Sequence, residues 1–261
     1  METGLRQRMV SWAVWCVFSM IALLMSVQPS VARTLVVAIN HAPPYRIVEM
    51  TPSGPVYSGI YVDVARIAAA RAGIELEFEV VPFRRALYML EHGDADLMLG
   101  PNRTDERQKY MYYFGAALPE EPKIIYTGVL DADVKKIEDL AGRSIGILRG
   151  ANYGRQVGDI SDVRKVEAAD YLTLFRMLDE HRISAMIVPE LLAIELLKQE
   201  GPMRIRRASL VLQGSPSFIA VSRQSPYFIS GDFTEFERRL VEMRQDGTFA
   251  EIYARYVDGA M

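Results

Sequence analysis

From Thr34 onward the chain alternates short apolar runs with helical stretches, and this alternation constrains its fold more than any other feature. "TLVVAIN" (34–40) is a β-branched run stopped by the prolines of "HAPPY". "TPSGPVYSG" is turn-rich. "IYVDVARIAAARAG" carries Val62, Ala65, Ile67 and Ala69 at helical spacing and ends at Gly73, a C-cap signal. "IELEFEVV" alternates, with Ile74, Leu76, Phe78 and Val80 on one face, and reads as a half-buried strand. "PFRRALYMLEHG" has Pro82 at a helix start and Gly93 at its end. "ADLMLG" is a buried strand that stops at a turn, and "NRTDERQKYMYYF" reads as a loop and helix start. The unit is β-α-β-α-β, the signature of a sheet covered by helices.

A second series follows. "KIIYTGVL" is a strand, "DADVKKIEDLAG" a short helix, "RSIGILRG" a strand and turn, and "ANYGRQVG" a helix start. "YLTLFRMLDEHR" sets Leu172, Phe175 and Leu178 on one helical face. "ISAMIV" is a strand, "PELLAIELLKQE" a helix opened by Pro189, and "FIAVSR" another strand. "DFTEFERRLVEMRQDGTFAEIYARYV" reads as two helices around Gly247. No Pro/Gly/Ser-rich linker separates the two series, so two lobes would be joined by ordinary strands and not by a tether.

Half of the 261 residues are apolar, enough for one large domain or two small ones with real cores. Net charge is −3 with acids and bases mixed, which argues against a nucleic-acid partner or a polybasic membrane patch. The three histidines, His41, His92 and His181, lie far apart and have no zinc-type spacing, so no metal or other cofactor is expected. Residues 1–32 stand apart: Arg6 and Arg8, then the apolar "VSWAVWCVFSMIALLMSV", then Ser30-Val31-Ala32. This is the pattern of a secretory leader cleaved after Ala32, with an uncleaved membrane anchor as the alternative. Cys16, the only cysteine, falls inside it, so the exported chain would carry none. Export without disulfides fits a bacterial periplasmic protein.

The segments "LVVAINHAPPY", "GIYVDVARIAAARAG", "PFRRALYMLEHGDADLMLG", "RTDERQKYMYYF", "KKIEDLAGRSIGILRGANYG", "HRISAMIV" and "DGTFAEIYARY" run nearly end to end. In this order and spacing they resemble the periplasmic solute-binding proteins of ABC importers, in the family that binds polar amino acids and related solutes. The resemblance implies a two-lobed α/β fold of the type II periplasmic-binding kind, with two mixed sheets flanked by helices. Residues 33–126 and 217–261 would form the first lobe and 127–216 the second, joined by two hinge strands near "KIIYTGV" and "SFIAVSR". It implies a small, carboxylate-bearing ligand in the interlobe cleft, a membrane permease as partner, and a monomer. It also implies that Arg107, in "TDER", holds the ligand carboxylate. A planar, always-charged guanidinium suits that task, and Gly100 before it lets a ligand approach. Tyr45 in "PPY" would lie beside the ligand, and Asn102 stands where a small hydroxyl residue is usual. On the second lobe, Gly150 and Asn152 in "RGANYG" would meet the carboxylate.

The chain departs from this pattern at one telling place. Relatives carry an aspartate for the ligand's α-ammonium at the end of the strand "ISAMIV"; here Pro189 stands there, followed by Glu190. Either Glu190 substitutes or the ligand has no α-ammonium. Arg85 in "PFRRAL" is a further candidate cation, or a helix arginine lying over the sheet edge. Tyr153 has two readings, one facing the cleft and one, the commoner for a tyrosine at a helix start, on the surface. The usual Pro-Tyr before the hinge is replaced by "GAALPEEP". The leading expectation is therefore a binding protein without chemistry. The alternatives are a dehydratase-like enzyme with Glu190 as general acid or base, and a ligand-sensing partner of a membrane receptor.

Overall fold

The protein, a computed structural model, is described over residues 33–115, 118–160 and 162–257; the expected leader lies outside the described residues. The first series forms β1 (Arg33–Ile39), β2 (Ile47–Thr51), β3 (Gly54–Ser58), α1 (Ile60–Ala72), β4 (Ile74–Val80), α2 (Phe83–His92), β5 (Leu97–Asn102) and β6 (Met111–Tyr113). The second forms β7 (Lys123–Gly128), β8 (Ser144–Leu148), α3 (Arg155–Gly158), β9 (Arg164–Ala168), α4 (Tyr171–Asp179), β10 (Ala185–Pro189), α5 (Glu190–Glu200) and β11 (Ile205–Leu212). The chain then closes with β12 (Ser217–Ser222), α6 (Pro226–Ile229), α7 (Phe233–Gln245) and α8 (Thr248–Val257).

Several elements differ from the sequence reading. The turn-rich stretch is half of a hairpin, since β2 and β3 pair antiparallel from Ile47↔Ser58 to Thr51↔Gly54. "NRTDERQKYMYYF" holds no α-helix: a 3-10 turn at Arg107–Lys109 leads directly into β6, where Met111 and Tyr113 are buried and Tyr112 less so. That alternation is the strand period. The short helix in "DADVKKIEDLAG" is a 3-10 turn at Ile137–Leu140. Strands β9 and β11 went unread because they are edge strands whose charged residues hide the apolar pattern.

Two five-stranded mixed sheets result, in the orders β4-β1-β5-β12-β6 and β11-β7-β10-β8-β9. In the first, β1 and β5 run parallel and β12 is antiparallel to β5. In the second, β8, β9 and β10 run parallel while β7 is antiparallel to both β10 and β11. Each sheet is flanked by helices, giving the two-lobed α/β architecture. The chain's last helices return to the first lobe. There α1 packs on α7, Phe114 and Phe236 meet at 5.2 Å, and Arg71 pairs with Asp246 at 2.7 Å. Burial of each large side chain in this core stabilises by about 1.5–3 kcal/mol.

The chain crosses between sheets twice, between Tyr113 and Lys123 and between Leu212 and Ser217. The crossings run side by side: the Leu118 N–H donates to the Ser217 carbonyl at 3.0 Å. Gly214 lies so close that a Cβ there would sit 1.8 Å from the Glu121 carbonyl oxygen. Backbone cannot yield as a side-chain tip can. We therefore expect Gly214→Ala to cost about 1–3 kcal/mol as an overpacking change. At about 2–4 °C per kcal/mol for a chain of this size, thermal unfolding would read this as a loss of several degrees. Gly158→Ala, where a Cβ meets nothing within 4 Å, is the control and should leave the midpoint nearly unchanged.

Candidate functional site

A cavity of ≈ 90 Å³ lies where the strand C-terminal ends of both sheets face each other across the crossings. This is where open α/β sheets place their ligands. The first lobe supplies Tyr45 and Arg46 from the loop after β1, Tyr61 from α1, Phe83 from α2, and Gly100 and Asn102 from β5. The crossings supply Glu121, Ser215 and, at the strand starts, Lys123 and Ser217. The second lobe supplies Leu148, the turn Ala151–Tyr153, Tyr171 and the β10–α5 junction at Pro189 and Leu192.

Arg46 is the most unusual of these side chains. It is only 7% exposed, and no carboxylate pairs with it among the described residues. Its Nε donates to the Asn40 carbonyl at 3.3 Å and its Nη1 to the Leu99 carbonyl at 3.0 Å. Nη2 makes no hydrogen bond among the described residues. The guanidinium carbon lies 5.8 Å from the centroid of the Tyr61 ring, and burial pulls its pKa below the ordinary arginine value. Gly100 makes room for it: φ is +90° there, and a Cβ would stand 2.1 Å from Nη1. Only glycine combines that backbone with that space. A buried cation without a counter-charge costs several kcal/mol, and an anion bound beside Arg46 would offset that cost.

Lys123 is a second buried cation. Its Nζ donates to the Asn152 carbonyl at 3.1 Å and lies 5.4 Å from the Tyr153 ring centroid. Burial lowers its pKa, and the neighbouring Glu121 opposes that shift. Glu121 is the only acid among the residues lining this cavity. Its carboxylate accepts the Leu191 N–H at 2.5 Å, in the first turn of α5, where the helix terminus favours an anion. Burial nevertheless raises its pKa to about 7, and Glu190 adds to the rise. The Tyr45 hydroxyl has this carboxyl as its polar neighbour, but it is enclosed without a hydrogen bond of regular geometry.

The residues singled out from the sequence are distributed unevenly. Tyr45, Gly100, Asn102 and Asn152 line the cavity. Asn102 also ties down the second crossing, its Nδ2 donating to the carbonyls of Ser215 and Pro216 at 3.1 Å each. Arg107 is buried, 6% exposed, and stands outside the cavity lining. Its Nη1 donates to the Asn102 carbonyl at 3.0 Å and its Nη2 to the Gly150 carbonyl at 2.7 Å, so it fastens one lobe to the other. Gly150 takes part through that carbonyl and packs near Arg84 and Leu87. Glu190 lies off the cavity and pairs with Arg207 at 2.7 Å. Arg85 is half-exposed over the Tyr88 ring, near Asp94 at 3.9 Å. Tyr153, half-buried, takes the cleft-facing of its two readings: it lines the cavity, and its hydroxyl accepts the Leu148 N–H at 2.9 Å. The sequence reading missed Arg46, Lys123 and Glu121. The one available signal was "GAALPEEPK", an acid two residues before a strand that begins with lysine.

Glu121 has a measurable consequence for stability. Its folded pKa, about 7, lies above the 4.5 of an ordinary glutamate, so the folded state holds an extra proton between these values. The contribution of this group to stability is then fully present below pH 4.5 and is lost as pH rises to about 7, by on the order of 3 kcal/mol. Urea unfolding followed from pH 4.5 to 8 should show the slope, and Glu121→Gln should flatten it.

Residues 35–259 match the family described as bacterial extracellular solute-binding proteins, family 3. A protein of Vibrio harveyi named as an amino-acid ABC transporter-binding protein is 25% identical over 76% of this chain and 79% of its own length. An ancestral arginine-binding protein bound to arginine superposes with TM-score 0.73, at 24% identity, over 85% of this chain and 97% of that one. A substrate-binding protein of an amino acid ABC transporter from Streptococcus pneumoniae, bound to L-arginine, gives TM-score 0.74 at 21% identity over 87% and 95%. These structures share the two-lobed fold. With most of its length matched, the chain belongs to family 3 of the bacterial extracellular solute-binding proteins.

Proposed function

We propose that this protein captures a free α-amino acid outside the cytoplasmic membrane and delivers it to the membrane permease of an ABC importer. The observation that carries the reading is the small interlobe cavity with groups of both signs, the buried Arg46 and Lys123 against the half-buried Glu121. An amino acid carries both charges, and such a cavity can answer each. Relatives named as an amino-acid ABC transporter-binding protein and as an arginine-binding protein support the same reading. Residues 1–32 have the form of an export leader, so on this reading the working protein starts near Arg33 in the periplasm. The ligand joins both lobes only when they close over it and therefore favours closure.

In this reading Arg107 acts through closure. It holds the Gly150 carbonyl of the second lobe while anchored on Asn102 of the first. Charge-assisted bonds of this kind contribute about 1.5–3 kcal/mol each.

The test is thermal unfolding of the purified protein, refolded from denaturant to strip carried ligand, against the amino acids and a set of small acids. A true ligand at about a hundred times its dissociation constant adds roughly 2.7 kcal/mol, several degrees here. Arg107→Ala should weaken binding of that ligand about tenfold or more, while Arg107→Lys, which keeps the charge but loses the fork, should fall between. If no amino acid raises the midpoint, the reading fails.

A further inference from the structure

The charged side chains lining the cavity among the described residues are Arg46, Lys123 and Glu121. They come from separate elements: the loop after β1, the start of β7 and the first crossing. With Glu121 ionised, the lining carries one net positive charge. Neither cation has a carboxylate bonded to it among the described residues; both donate to backbone carbonyls instead. Among the described residues, Arg46 keeps Nη2 uncommitted, and Lys123 makes one hydrogen bond of the three an ammonium can donate.

From this arrangement we infer that the cavity takes an acidic α-amino acid, with its two carboxylates on Arg46 and Lys123 and its ammonium on Glu121. The inference rests on the amino-acid reading above and narrows it. Charge balance decides between the candidates. An acidic amino acid carries one net negative charge and neutralises the lining, whereas a neutral one leaves a buried positive charge. Arginine, the ligand of the two structural relatives, would leave two buried positive charges. Glu121 also supplies what Pro189 cannot. The β10–α5 junction still borders the cavity through Pro189 and Leu192, and the carboxylate beside it comes from Glu121, bonded to the Leu191 N–H. Glu190, the acid in the junction itself, is engaged by Arg207.

The amino group gives the inference a pH signature. The groups facing Glu121 are Tyr45 and Tyr61 from the first lobe, Tyr253 from α8, Lys123 from β7, Tyr171 from α4 and Glu190 from α5. The tyrosines are held above their ordinary range, chiefly by burial. His41, beside Arg46, is held below its ordinary range by burial and by that arginine. Glu121, at about 7, is therefore the group that titrates near neutrality. An ammonium on Glu121 needs the carboxylate, so affinity for an acidic amino acid should rise as pH passes upward through 7. A dicarboxylate without an amine would need Glu121 protonated, and its affinity should fall over the same range.

Titration calorimetry on the refolded protein at pH 6 and pH 8.5 tests this with glutamate, aspartate, 2-oxoglutarate, glutamine and arginine. Glutamate or aspartate should bind at least a hundredfold more tightly than glutamine or arginine, and more tightly at the higher pH. Glu121→Gln should lose tenfold or more for the amino dicarboxylate and remove its pH dependence, while binding 2-oxoglutarate no less tightly than before. Lys123→Met and Arg46→Gln should each lose tenfold or more for glutamate. Arg46→Gln is accepted only if its circular dichroism matches the parent, and Lys123→Met provides the anion-site test independently. Tighter binding of arginine or a neutral amino acid would overturn the inference and leave the amino-acid reading intact. Binding of 2-oxoglutarate in preference to glutamate would overturn the assignment of Glu121 to an ammonium. No binding by any amino acid would end both.

Discussion

Where the chain passes from one sheet to the other, backbone packs on backbone: Gly214 approaches the Glu121 carbonyl so closely that no side chain fits between them. This contact and the Leu118–Ser217 bond beside it set how the two crossings lie against each other. The groups that matter most in the cavity hang from those segments or touch them. Glu121 is on the first crossing and Lys123 starts the strand it feeds. Asn102 holds the second crossing through the Ser215 and Pro216 carbonyls. The Tyr61 hydroxyl donates to Ser217 at its end. A close backbone contact thus fixes the position of charges that would otherwise sit on a flexible connection.

The cavity lining holds more positive charge than its one acid, Glu121, neutralises. Arg46 and Lys123 are oriented by carbonyl dipoles, which satisfy individual N–H groups but leave the net charge in place. Had each been paired with an acid, the cavity would be quieter and the protein more stable, but a ligand anion would then have to displace that acid. Orienting a cation by dipoles avoids the competition. Glu121 follows the same logic with the opposite sign. It is anchored by the Leu191 N–H, yet burial keeps it near its midpoint at neutral pH, so a cationic ligand group can shift it readily.

Most of the architecture was legible in the sequence because buried strands and amphipathic helices carry strong periodic signals. "TLVVAIN", "IELEFEVV" and "ISAMIV" mark strands, and Gly73 and Gly93 end their helices in the left-handed conformation. What stayed hidden has specific causes. The edge strands β9 and β11 are half solvated, and residues such as Lys165, Glu167, Arg206 and Arg207 interrupt their apolar pattern. In β6 the alternation of Met111, Tyr112 and Tyr113 was outweighed by the charges before it, which belong to a 3-10 turn. Among the site residues, Tyr45, Gly100, Asn102 and Asn152 stood out through the family resemblance of the segments that hold them, Gly100 and Asn102 in the last half of β5. Arg46 is an arginine one residue beyond a proline loop, and Glu121 is one of two adjacent acids. No local pattern says that such a charge turns inward; only the packing of distant segments decides it.

The same charges bear on when the lobes come together. Arg107 can join Asn102 to Gly150 whether or not the cavity is filled, so that bond alone gives closure no dependence on ligand. A ligand shifts the balance only by as much as it prefers the closed state to the open one. Two desolvated cations facing one small cavity oppose closure while the cavity holds only water, since closing removes the solvent that screens them. An anion between them reverses the sign: the desolvation that penalised each charge now strengthens its attraction to the ligand. Arg46 belongs to one lobe and Lys123 to the sheet of the other, so an anion touching both can do so fully only when the lobes meet. On the proposed reading, the buried charge that the fold leaves uncompensated is then what makes closure respond to the ligand.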